Sequence, residues 1–248
     1  MTKLIINADD FGYSKGVNLG IIEAYQNGVV TSTTMMTNMP GAAHAAALAQ
    51  ENPGLGVGIH LVLDCGRPVH PYVPSLVDEK GSFHKIEQLI QYAESTDIEK
   101  ELLSQIDKFH SFGFTATHLD GHHHIHAYEK VYPIVEKIAQ TYNMPIRKAS
   151  ADPNHSSHTK LQTTEMFFHQ FYGDKLSIEG LLELFERSLH FGTAEIMCHP
   201  AYIDDPLLQG SSYALPRVRE LAILTDPNIQ STIKAMNIEL ATYKEVFS

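Results

Sequence analysis

Apolar residues along the chain alternate between two spacings, one typical of buried strands and the other of helices. Short apolar stretches rich in branched residues predict strands at 3–8, 29–36, 55–63, 115–120, 145–148, 194–198 and 237–240. Helical spacing of the apolar residues predicts helices at 15–27, 40–50, 98–112, 130–142, 178–189, 218–224 and 229–236. Strands that alternate with helices in this way indicate right-handed βα units on a mostly parallel sheet.

About seven such units in 248 residues suit a barrel better than an open sheet. We therefore predict an α/β fold, a somewhat irregular barrel of mostly parallel strands that forms a single domain over residues 1–248. Residues 64–84 are rich in proline and glycine and predict a long loop. Residues 149–177 show neither spacing clearly, and we expect a second long loop there.

Polar residues follow four of the predicted strands. Asp9 and Asp10 follow the first strand, and His60 lies near the end of the third. The segment 118–126, HLDGHHHIH, overlaps the end of the fourth, and His199 follows the sixth. In a parallel barrel the carboxyl ends of the strands converge on one face, where the active site lies. We therefore expect these residues to meet in one pocket.

The adjacent carboxylates Asp9 and Asp10 have two interpretations. Aspartate is common where a strand enters a solvated turn, and an arbitrary pair of this kind has no further role. Beside a metal ion, one carboxylate could hold the ion while the other holds a water molecule as general base. The positive charge would keep both ionised, because an opposite charge lowers the pKa of a carboxyl group.

Segment 118–126 contains five histidines and one aspartate in nine residues. Packing does not explain this density, and metal binding is favoured over an incidental surface tract. An extended backbone would place Asp120, His122, His124 and His126 on one face, whereas a helix would pair Asp120 with His124 and His122 with His126. Spacing alone does not decide the ligands. Imidazole with carboxylate suits Zn, Fe, Ni or Mn, while Mg²⁺ prefers oxygen.

His60 and His199 are each ordinary when taken alone, since a lone histidine is most often structural. His199 precedes Pro200, however, and the residue before a proline is confined to extended conformations. This places His199 at a strand exit and makes it a candidate general acid. Cys198 is expected to be a small core residue, and its distance in sequence from Cys65 implies no disulfide framework.

Residues 12–16, GYSKG, match the G-x-S-x-G pattern of serine hydrolases. That pattern needs its serine on a sharp turn immediately after a strand, but the two aspartates and further residues separate Ser14 from the first predicted strand. Serine is also a preferred N-cap, and the helix predicted at 15–27 begins directly after Ser14. We therefore expect Ser14 to cap this helix and not to act as a nucleophile.

Composition and charge narrow the classes of partner. The chain is 43% hydrophobic and 19% charged, which is ordinary for a globular protein, and its formal net charge is −11. This charge argues against nucleic acid or an anionic membrane as a partner, because both would repel the chain. No basic N-terminal segment precedes an apolar run of signal length, and no apolar stretch reaches the length of a membrane span. We expect a cytoplasmic protein.

Several motifs together carry a family resemblance. They are NADDFGYSKG, NGVVTSTTMM, GIHLVL, THLDGHHHIH, EIMCHPAY and SSYALPRVREL. These motifs closely resemble the YdjC-type carbohydrate deacetylases, a family that includes bacterial chitooligosaccharide deacetylases, and the resemblance extends over nearly the whole chain. It implies a distorted (β/α) barrel, a homodimer, an acetylated oligosaccharide substrate and a divalent metal cofactor, often Mg²⁺.

The resemblance also implies roles for individual residues. The positions that match the family pattern suggest that Asp10, His60 and His124 hold the metal. A looser similarity to metal-dependent polysaccharide deacetylases suggests that Asp9 is the general base and His199 the general acid. These assignments come from the resemblance, since the spacing of the residues leaves the two aspartates interchangeable.

The remaining candidates lie around this centre. Asp120 is expected to orient a ligand histidine through a hydrogen bond, and His122 and His126 are alternative ligands. Arg217 and Tyr213 are expected to contact substrate. Tyrosines in the long loops could stack on sugar rings, although surface tyrosines are more often only packing; the candidates are Tyr72, Tyr202 and Tyr213.

The expected reaction is metal-assisted hydrolysis of an N-acetyl group. Water activated by the metal and the base attacks the acetyl carbonyl, and the acid protonates the departing amine, because amines leave poorly unless protonated. Two alternatives remain open. One is a metal-dependent amidohydrolase or phosphoesterase acting on a non-sugar substrate, and the other is a metal-binding protein without catalytic activity.

Overall fold

A sheet of parallel strands forms the centre of the molecule. The computed structural model describes residues 1–148, 161–173 and 176–248. Its strands are β1 (Lys3–Phe11), β2 (Ser32–Met35), β3 (Gly56–Leu61), β4 (Leu119–Gly121), β5 (Met166–Phe168), β6 (Thr193–Cys198) and β7 (Glu239–Leu240). Their order across the sheet is β4-β3-β2-β1-β6-β5, and β7 pairs with β1. Every pair is parallel.

Helices surround this sheet. They are α1 (Lys15–Gln26), α2 (Ala42–Glu51), α3 (Ile86–Tyr92), α4 (Ser95–Ser111), α5 (Tyr132–Tyr142), α6 (Ile178–Ser188), α7 (Asp205–Gly210), α8 (Leu215–Leu224), α9 (Pro227–Ala235) and α10 (Tyr243–Phe247). Sheet and helices together form a half-barrel, which is the α/β architecture that the sequence predicts. None of the helices in the described ranges has the length and apolar character needed to cross a membrane.

Strand β1 is apolar without alternation because it is covered on both faces. Leu4, Ile5 and Ile6 are all fully buried. A parallel strand flanked by helices on both faces reads as a continuous apolar run for this reason. Since β1 pairs with β2 on one side and with β6 on the other, the residues at its carboxyl end lie in the middle of the sheet.

Helix α1 begins as the sequence predicts. Ser14 is its N-cap, and the Ser14 hydroxyl accepts a hydrogen bond from the backbone N–H of Val17 at 3.3 Å. Val17 and Ile21 face the core and are fully buried. The expectation that Ser14 caps a helix is confirmed, and this local role accounts for the serine of the G-x-S-x-G pattern.

The end of β1 differs from its predicted form. The strand continues through Asp9 and Asp10 to Phe11, whereas the sequence analysis ended it at residue 8 and considered a solvated turn as one interpretation of the two aspartates. The pairing with β2 shifts between Ala8 and Phe11, so β1 carries an irregularity at the two aspartates. A bulge of this kind re-aims side chains next to functional sites. It explains how two adjacent carboxylates occupy a buried strand end.

Two predicted strands are reduced in the structure. The strand expected at 115–120 shrinks to β4, and the one expected at 145–148 is only an isolated bridge between Leu119 and Ile146. Pro145 has no backbone N–H, so a ladder through this segment would lack a donor. The prediction of a strand at 145–148 is therefore wrong.

Short elements were missed by the sequence analysis. Helices α3, α7 and α10 have seven, six and five residues, too few for a clear apolar spacing. Strand β5 has three residues and lies inside the loop predicted at 149–177. Within that loop, residues 149–160 and 174–175 lie outside the described residues. The loop predicted at 64–84 contains a single 3₁₀ turn, Pro74–Leu76.

Candidate metal and catalytic site

A cavity of about 370 Å³ lies at the carboxyl ends of β1, β3, β4 and β6. Its walls include eight of the residues singled out in the sequence, which are Asp9, Asp10, His60, His122, His124, His199, Tyr213 and Arg217. Asp120 and His126 are fully buried outside this lining. The strand ends thus bring distant residues together as the barrel argument requires.

Three side chains in this cavity have the arrangement of a metal site. The Oδ1 atom of Asp10 lies 3.3 Å from His60 Nε2 and 2.9 Å from His122 Nδ1, and the three residues form a group of donor atoms all within 4.8 Å of one another. Donors bound at about 2.1 Å to one ion are spaced roughly 3 to 4 Å apart. One carboxylate and two imidazoles at this spacing fit a divalent ion.

His60 is fixed from behind by Asp120. The Nδ1 atom of His60 lies 2.7 Å from Asp120 Oδ1, which leaves Nε2 directed at Asp10. A carboxylate behind a histidine sets its tautomer and ring orientation in many metal sites. Burial alone would lower the pKa of His60, but Asp120 and Asp10 raise it to about 10. An ion at Nε2 would therefore have to displace a proton.

Backbone strain concentrates around this group. Among the described residues other than glycine, five have a positive φ, and three of these lie here: Asp10 (72°), His123 (48°) and His124 (57°). Left-handed backbone is unfavourable for such residues and persists only where the surroundings impose it, commonly at functional sites. The segment is thus neither extended nor a regular helix. The kink sets where His122 and its neighbours point.

The other histidines of this segment lie apart from Asp10. His124 lines the cavity but belongs to none of the three groups of clustered donors found in the described part of the chain. Burial and the charge of Arg147 lower the pKa of His124 to about 4, so its imidazole is neutral. His126 is fully buried, and neither of its ring nitrogens has a hydrogen-bond partner. The structure thus places His122, not His124, beside Asp10 and His60.

Asp9 is held by an arginine that the sequence analysis did not single out. The two terminal nitrogens of Arg147 donate to the two carboxylate oxygens of Asp9, each at 2.7 Å, and the Asn7 amide donates to Oδ1 at 2.9 Å. Burial favours the neutral form of Asp9, but the Arg147 guanidinium outweighs this effect and holds the pKa of Asp9 far below its usual range. Asp9 is therefore ionised and rigidly placed.

Arg147 joins several parts of the site because it is fully buried among three carboxylates. Besides Asp9, it contacts Asp120 Oδ2 at 2.9 Å and Glu195 Oε1 at 2.9 Å, and Glu195 in turn accepts a hydrogen bond from the Tyr243 hydroxyl. One guanidinium therefore positions both Asp9 and the carboxylate behind His60. An arginine inside an apolar segment predicted as a strand was the only sequence signal for this role.

Glu220 supports His199, which follows β6 next to Asp9 because Ala8 of β1 pairs with Cys198 of β6. One oxygen of the fully buried Glu220 accepts the backbone N–H of His199, and the other lies 3.7 Å from the Nδ1 atom of the His199 ring. That second distance is too long for a hydrogen bond, and Nδ1 has no other partner. The Tyr213 hydroxyl donates to the same Glu220 oxygen at 2.7 Å. Glu220 was not predicted, since a single glutamate on a helix carries no distinctive pattern.

Arg217 donates a hydrogen bond to the second carboxylate oxygen of Asp10. Its Nη2 atom donates to Asp10 Oδ2 at 2.6 Å, and its Nε atom donates to the backbone carbonyl of Tyr213 at 2.7 Å. Burial raises the pKa of Asp10, but Arg217 and His122 lower it to well below its usual range. The remaining nitrogen, Nη1, is buried without a hydrogen-bond partner. Arg217 thus links Asp10 to the backbone of Tyr213 and keeps one buried donor unpaired.

The three tyrosines proposed as sugar contacts have different positions. Tyr213 lines the cavity, whereas Tyr72 and Tyr202 are exposed at 71% and 45% and lie outside the lining. The structure therefore gives Tyr72 and Tyr202 no contact with this site. A tyrosine not considered in the sequence, Tyr172, does line the cavity, and its ring stacks on Tyr213.

Comparison with known proteins identifies the family of this chain. The family model described as YdjC-like protein matches residues 3–235. The chain belongs to the YdjC-like family. The chain is 52% identical to the carbohydrate deacetylase of Geobacillus stearothermophilus, over 98% of this chain and 97% of the relative. It is 42% identical to the chitooligosaccharide deacetylase of Serratia marcescens, over 98% of each chain.

Solved structures confirm the fold of this YdjC-like protein. A crystal structure of a candidate cellobiose-phosphate cleavage protein from Enterococcus faecalis V583 has a TM-score of 0.95 at 36% identity, and covers 99% of this chain and 98% of the other. The family 4 carbohydrate esterase of Streptomyces lividans has a TM-score of 0.56 at 12% identity, with 97% and 92% covered. The second likeness concerns the fold alone. The predicted distorted (β/α) barrel is confirmed.

Proposed function

We propose that this chain removes acetyl groups from N-acetylated carbohydrates of the chitooligosaccharide type by metal-assisted hydrolysis. The enzyme class, carbohydrate deacetylase, is that of its Geobacillus and Serratia relatives, and it agrees with the class predicted from the sequence. The observation that carries the proposal is one cavity in which Asp10, His60 and His122 converge and which Asp9 and His199 also line. Metal-assisted hydrolysis of an amide needs these three groups: a metal site, a base and an acid.

For the metal we propose a divalent ion held by Asp10, His60 and His122. Such an ion, when bound, lowers the pKa of a water molecule and polarises the acetyl carbonyl. The imidazole-rich donor set favours Zn²⁺ or another transition metal, whereas the family resemblance favours Mg²⁺. His124, the ligand implied by the resemblance, lines the same cavity and is the competing assignment for the third position.

For the base we propose Asp9. Arg147 holds both Asp9 oxygens, so the carboxylate stays ionised and keeps one orientation next to Asp10. An oxygen of Asp9 lies within 4.8 Å of a ring nitrogen of His60, and Asp10 contacts the same ring, which supports one water molecule shared by the base and the metal group. A base with such a low pKa takes a proton only from a water that is already acidified. Asp9 can therefore act as the base only when an ion is bound at Asp10, His60 and His122.

For the acid we propose His199. The Glu220 carboxylate lies 3.7 Å from Nδ1, and the hydrogen bond from the His199 backbone holds the two residues together. Protonated His199 delivers a proton to the nitrogen that leaves the acetyl carbon. Arg217 and Tyr213 both line the cavity, which supports their proposed contact with substrate.

Acetate release tests this function directly. Purified protein is incubated with N,N′-diacetylchitobiose, treated with chelator, and then resupplied with Mg²⁺, Zn²⁺, Mn²⁺ or Co²⁺. We expect acetate release that chelation abolishes and one of the ions restores. Hydrolysis of non-sugar amides or phosphoesters in place of the sugar would favour the amidohydrolase or phosphoesterase alternative. Bound metal without hydrolysis of any of these substrates would favour a non-catalytic metal-binding protein.

Three wider expectations accompany this proposal. A single catalytic domain over residues 1–248 is supported by the pairing of β1 with β7, which joins both ends of the chain in one sheet. The homodimer implied by the family resemblance stays a prediction, which light scattering on the purified protein would test. The cytoplasmic location also stays a prediction, and cell fractionation would test it.

A further inference from the structure

Tyr172 stands out among the exposed tyrosines because it borders the catalytic cavity. It is 44% exposed and belongs to the lining. Tyr202 has nearly the same exposure, 45%, but lies outside that lining. A large apolar ring kept in water beside a polar cavity forgoes the free energy of burial, which suggests that a ligand covers it.

The Tyr172 ring is held in one orientation before any ligand binds. Its ring stacks on that of Tyr213, with 3.9 Å between centroids and 13° between planes. The Tyr213 hydroxyl donates to Glu220 at 2.7 Å and accepts the backbone N–H of Gly173 at 3.0 Å, and the Arg217 guanidinium lies 5.8 Å from the Tyr213 ring centre. A surface fixed in this way loses little conformational entropy when a ligand binds.

The position of this surface relative to His199 indicates what it binds. The His199 ring lies 5.5 Å from Tyr172 and 5.8 Å from Tyr213, at 72° to each. Both tyrosine rings therefore stand nearly perpendicular to the imidazole. Because Tyr213 covers one face of Tyr172, a ligand ring would contact the other face at about 4 Å, and a substituent on its edge would reach His199 past the edge of Tyr172.

We propose that Tyr172 binds the apolar face of the pyranose ring whose acetamido group is hydrolysed. A pyranose ring has C–H bonds on its faces and polar groups at its edge, which matches an aromatic surface beside a polar cavity. Stacking there would bring the nitrogen of the acetamido group towards the proposed acid, His199. The inference rests on the proposed deacetylation, and it makes Tyr172 a residue that selects for sugars.

Kinetics on two substrates test this role. Wild-type protein and Tyr172→Ala are compared on N,N′-diacetylchitobiose and on 4-nitrophenyl acetate, an acetyl ester without a pyranose ring. We expect KM for the sugar to rise about tenfold in Tyr172→Ala, the size expected for losing one ring contact. The rate on the ester should stay unchanged. Tyr172→Phe keeps the ring and should behave as wild type, and Tyr202→Ala is the matched control for removing an exposed tyrosine.

Direct binding separates this inference from the proposed function. The product chitobiose is titrated into wild type and Tyr172→Ala by calorimetry, with no turnover required. Weaker binding to Tyr172→Ala supports the stacking role even if no acetate is released, in which case only the proposed function fails. Unchanged sugar kinetics and binding in Tyr172→Ala, equal losses on sugar and ester, or a wild-type protein that binds no sugar would each overturn the inference.

Discussion

Two clusters at the cavity are built differently, although they adjoin where β1 pairs with β6. On the Asp9 side, which comprises Asp9 and Arg147, both Asp9 oxygens are engaged by Arg147, and the arginine is fully buried. On the His199 side, which comprises His199 and Tyr172, the His199 Nδ1 atom is unpartnered and Tyr172 is 44% exposed. A base that acts on a water beside a metal ion needs a fixed position, whereas a surface that contacts substrate must stay accessible.

Because of this difference, substitutions in the two clusters should affect stability and activity to different extents. Around Arg147, charged groups are buried together, and removing one partner leaves another charge uncompensated. Around Tyr172, the ring is partly in water, and truncating it removes little buried area. The two sides should therefore respond differently to substitution, the first by losing stability together with activity and the second by losing activity alone.

The largest effect is expected from removing the arginine that holds Asp9. Arg147→Met should lower the free energy of unfolding by about 3–5 kcal/mol and abolish acetate release, because three buried carboxylates lose their common cation. Urea unfolding followed by circular dichroism measures the loss. Arg219→Met, at an exposed arginine, is the control and should stay within about 0.5 kcal/mol of wild type. Equal stability of the two variants would contradict the structural role of Arg147.

Turnover of two substrate types should distinguish the base from the acid. Asp9→Asn should lower kcat by about 10²–10⁴-fold on both the sugar amide and 4-nitrophenyl acetate, since both require an activated water. His199→Ala should slow the amide far more than the ester, because 4-nitrophenolate leaves without a proton. Metal content, measured in parallel, should stay at the wild-type value in both variants. A uniform loss in His199→Ala would remove it from the acid role.

Metal content should decide which histidine completes the metal group with Asp10 and His60. Asp10→Ala and His122→Ala should lose the ion, since these residues contribute two of the three converging donors. His124→Ala should retain it. Elemental analysis of each purified variant gives the occupancy directly. Retention of the ion in His122→Ala together with its loss in His124→Ala would instead support the assignment implied by the family resemblance.

Metal binding itself should depend on pH. Because Asp120 and Asp10 outweigh burial and raise the pKa of His60 to about 10, His60 is protonated at neutral pH in the metal-free protein. Metal binding must then release this proton, so the apparent affinity should increase with pH, by up to about tenfold per pH unit below pH 10. Calorimetry in buffers of different ionisation enthalpy measures the released proton. Affinity that is independent of pH would contradict a protonated His60.

The stability of the metal-free protein should also depend on pH, but it should decrease as the pH rises. The folded pKa of His60 is raised above its ordinary value of 6.5, so its protonated form stabilises the folded state fully below pH 6.5. That contribution is lost as the pH rises towards about 10. Urea unfolding of chelated protein at several pH values should show this decline, and protein saturated with metal should not.

The sequence by itself located most of the candidate site residues, because these residues lie in short local patterns. Paired aspartates at a strand end, clustered histidines at 118–126 and a histidine before Pro200 are each visible within ten residues. Alternation of strands and helices then predicted that these patterns meet at one face of a barrel. The cap formed by Ser14 was equally local, since capping involves only neighbouring backbone groups.

Only the tertiary structure identified the supporting residues. Arg147 holds Asp9 across 138 positions of sequence, and such a contact exists only once the sheet has formed. Glu220 and Tyr172 are single residues without a local pattern, so nothing in their neighbourhood distinguishes them from ordinary surface or helix positions. The position of His122 beside Asp10 depends on left-handed backbone at His123 and His124, a conformation that residue type does not favour and that only the surrounding fold imposes.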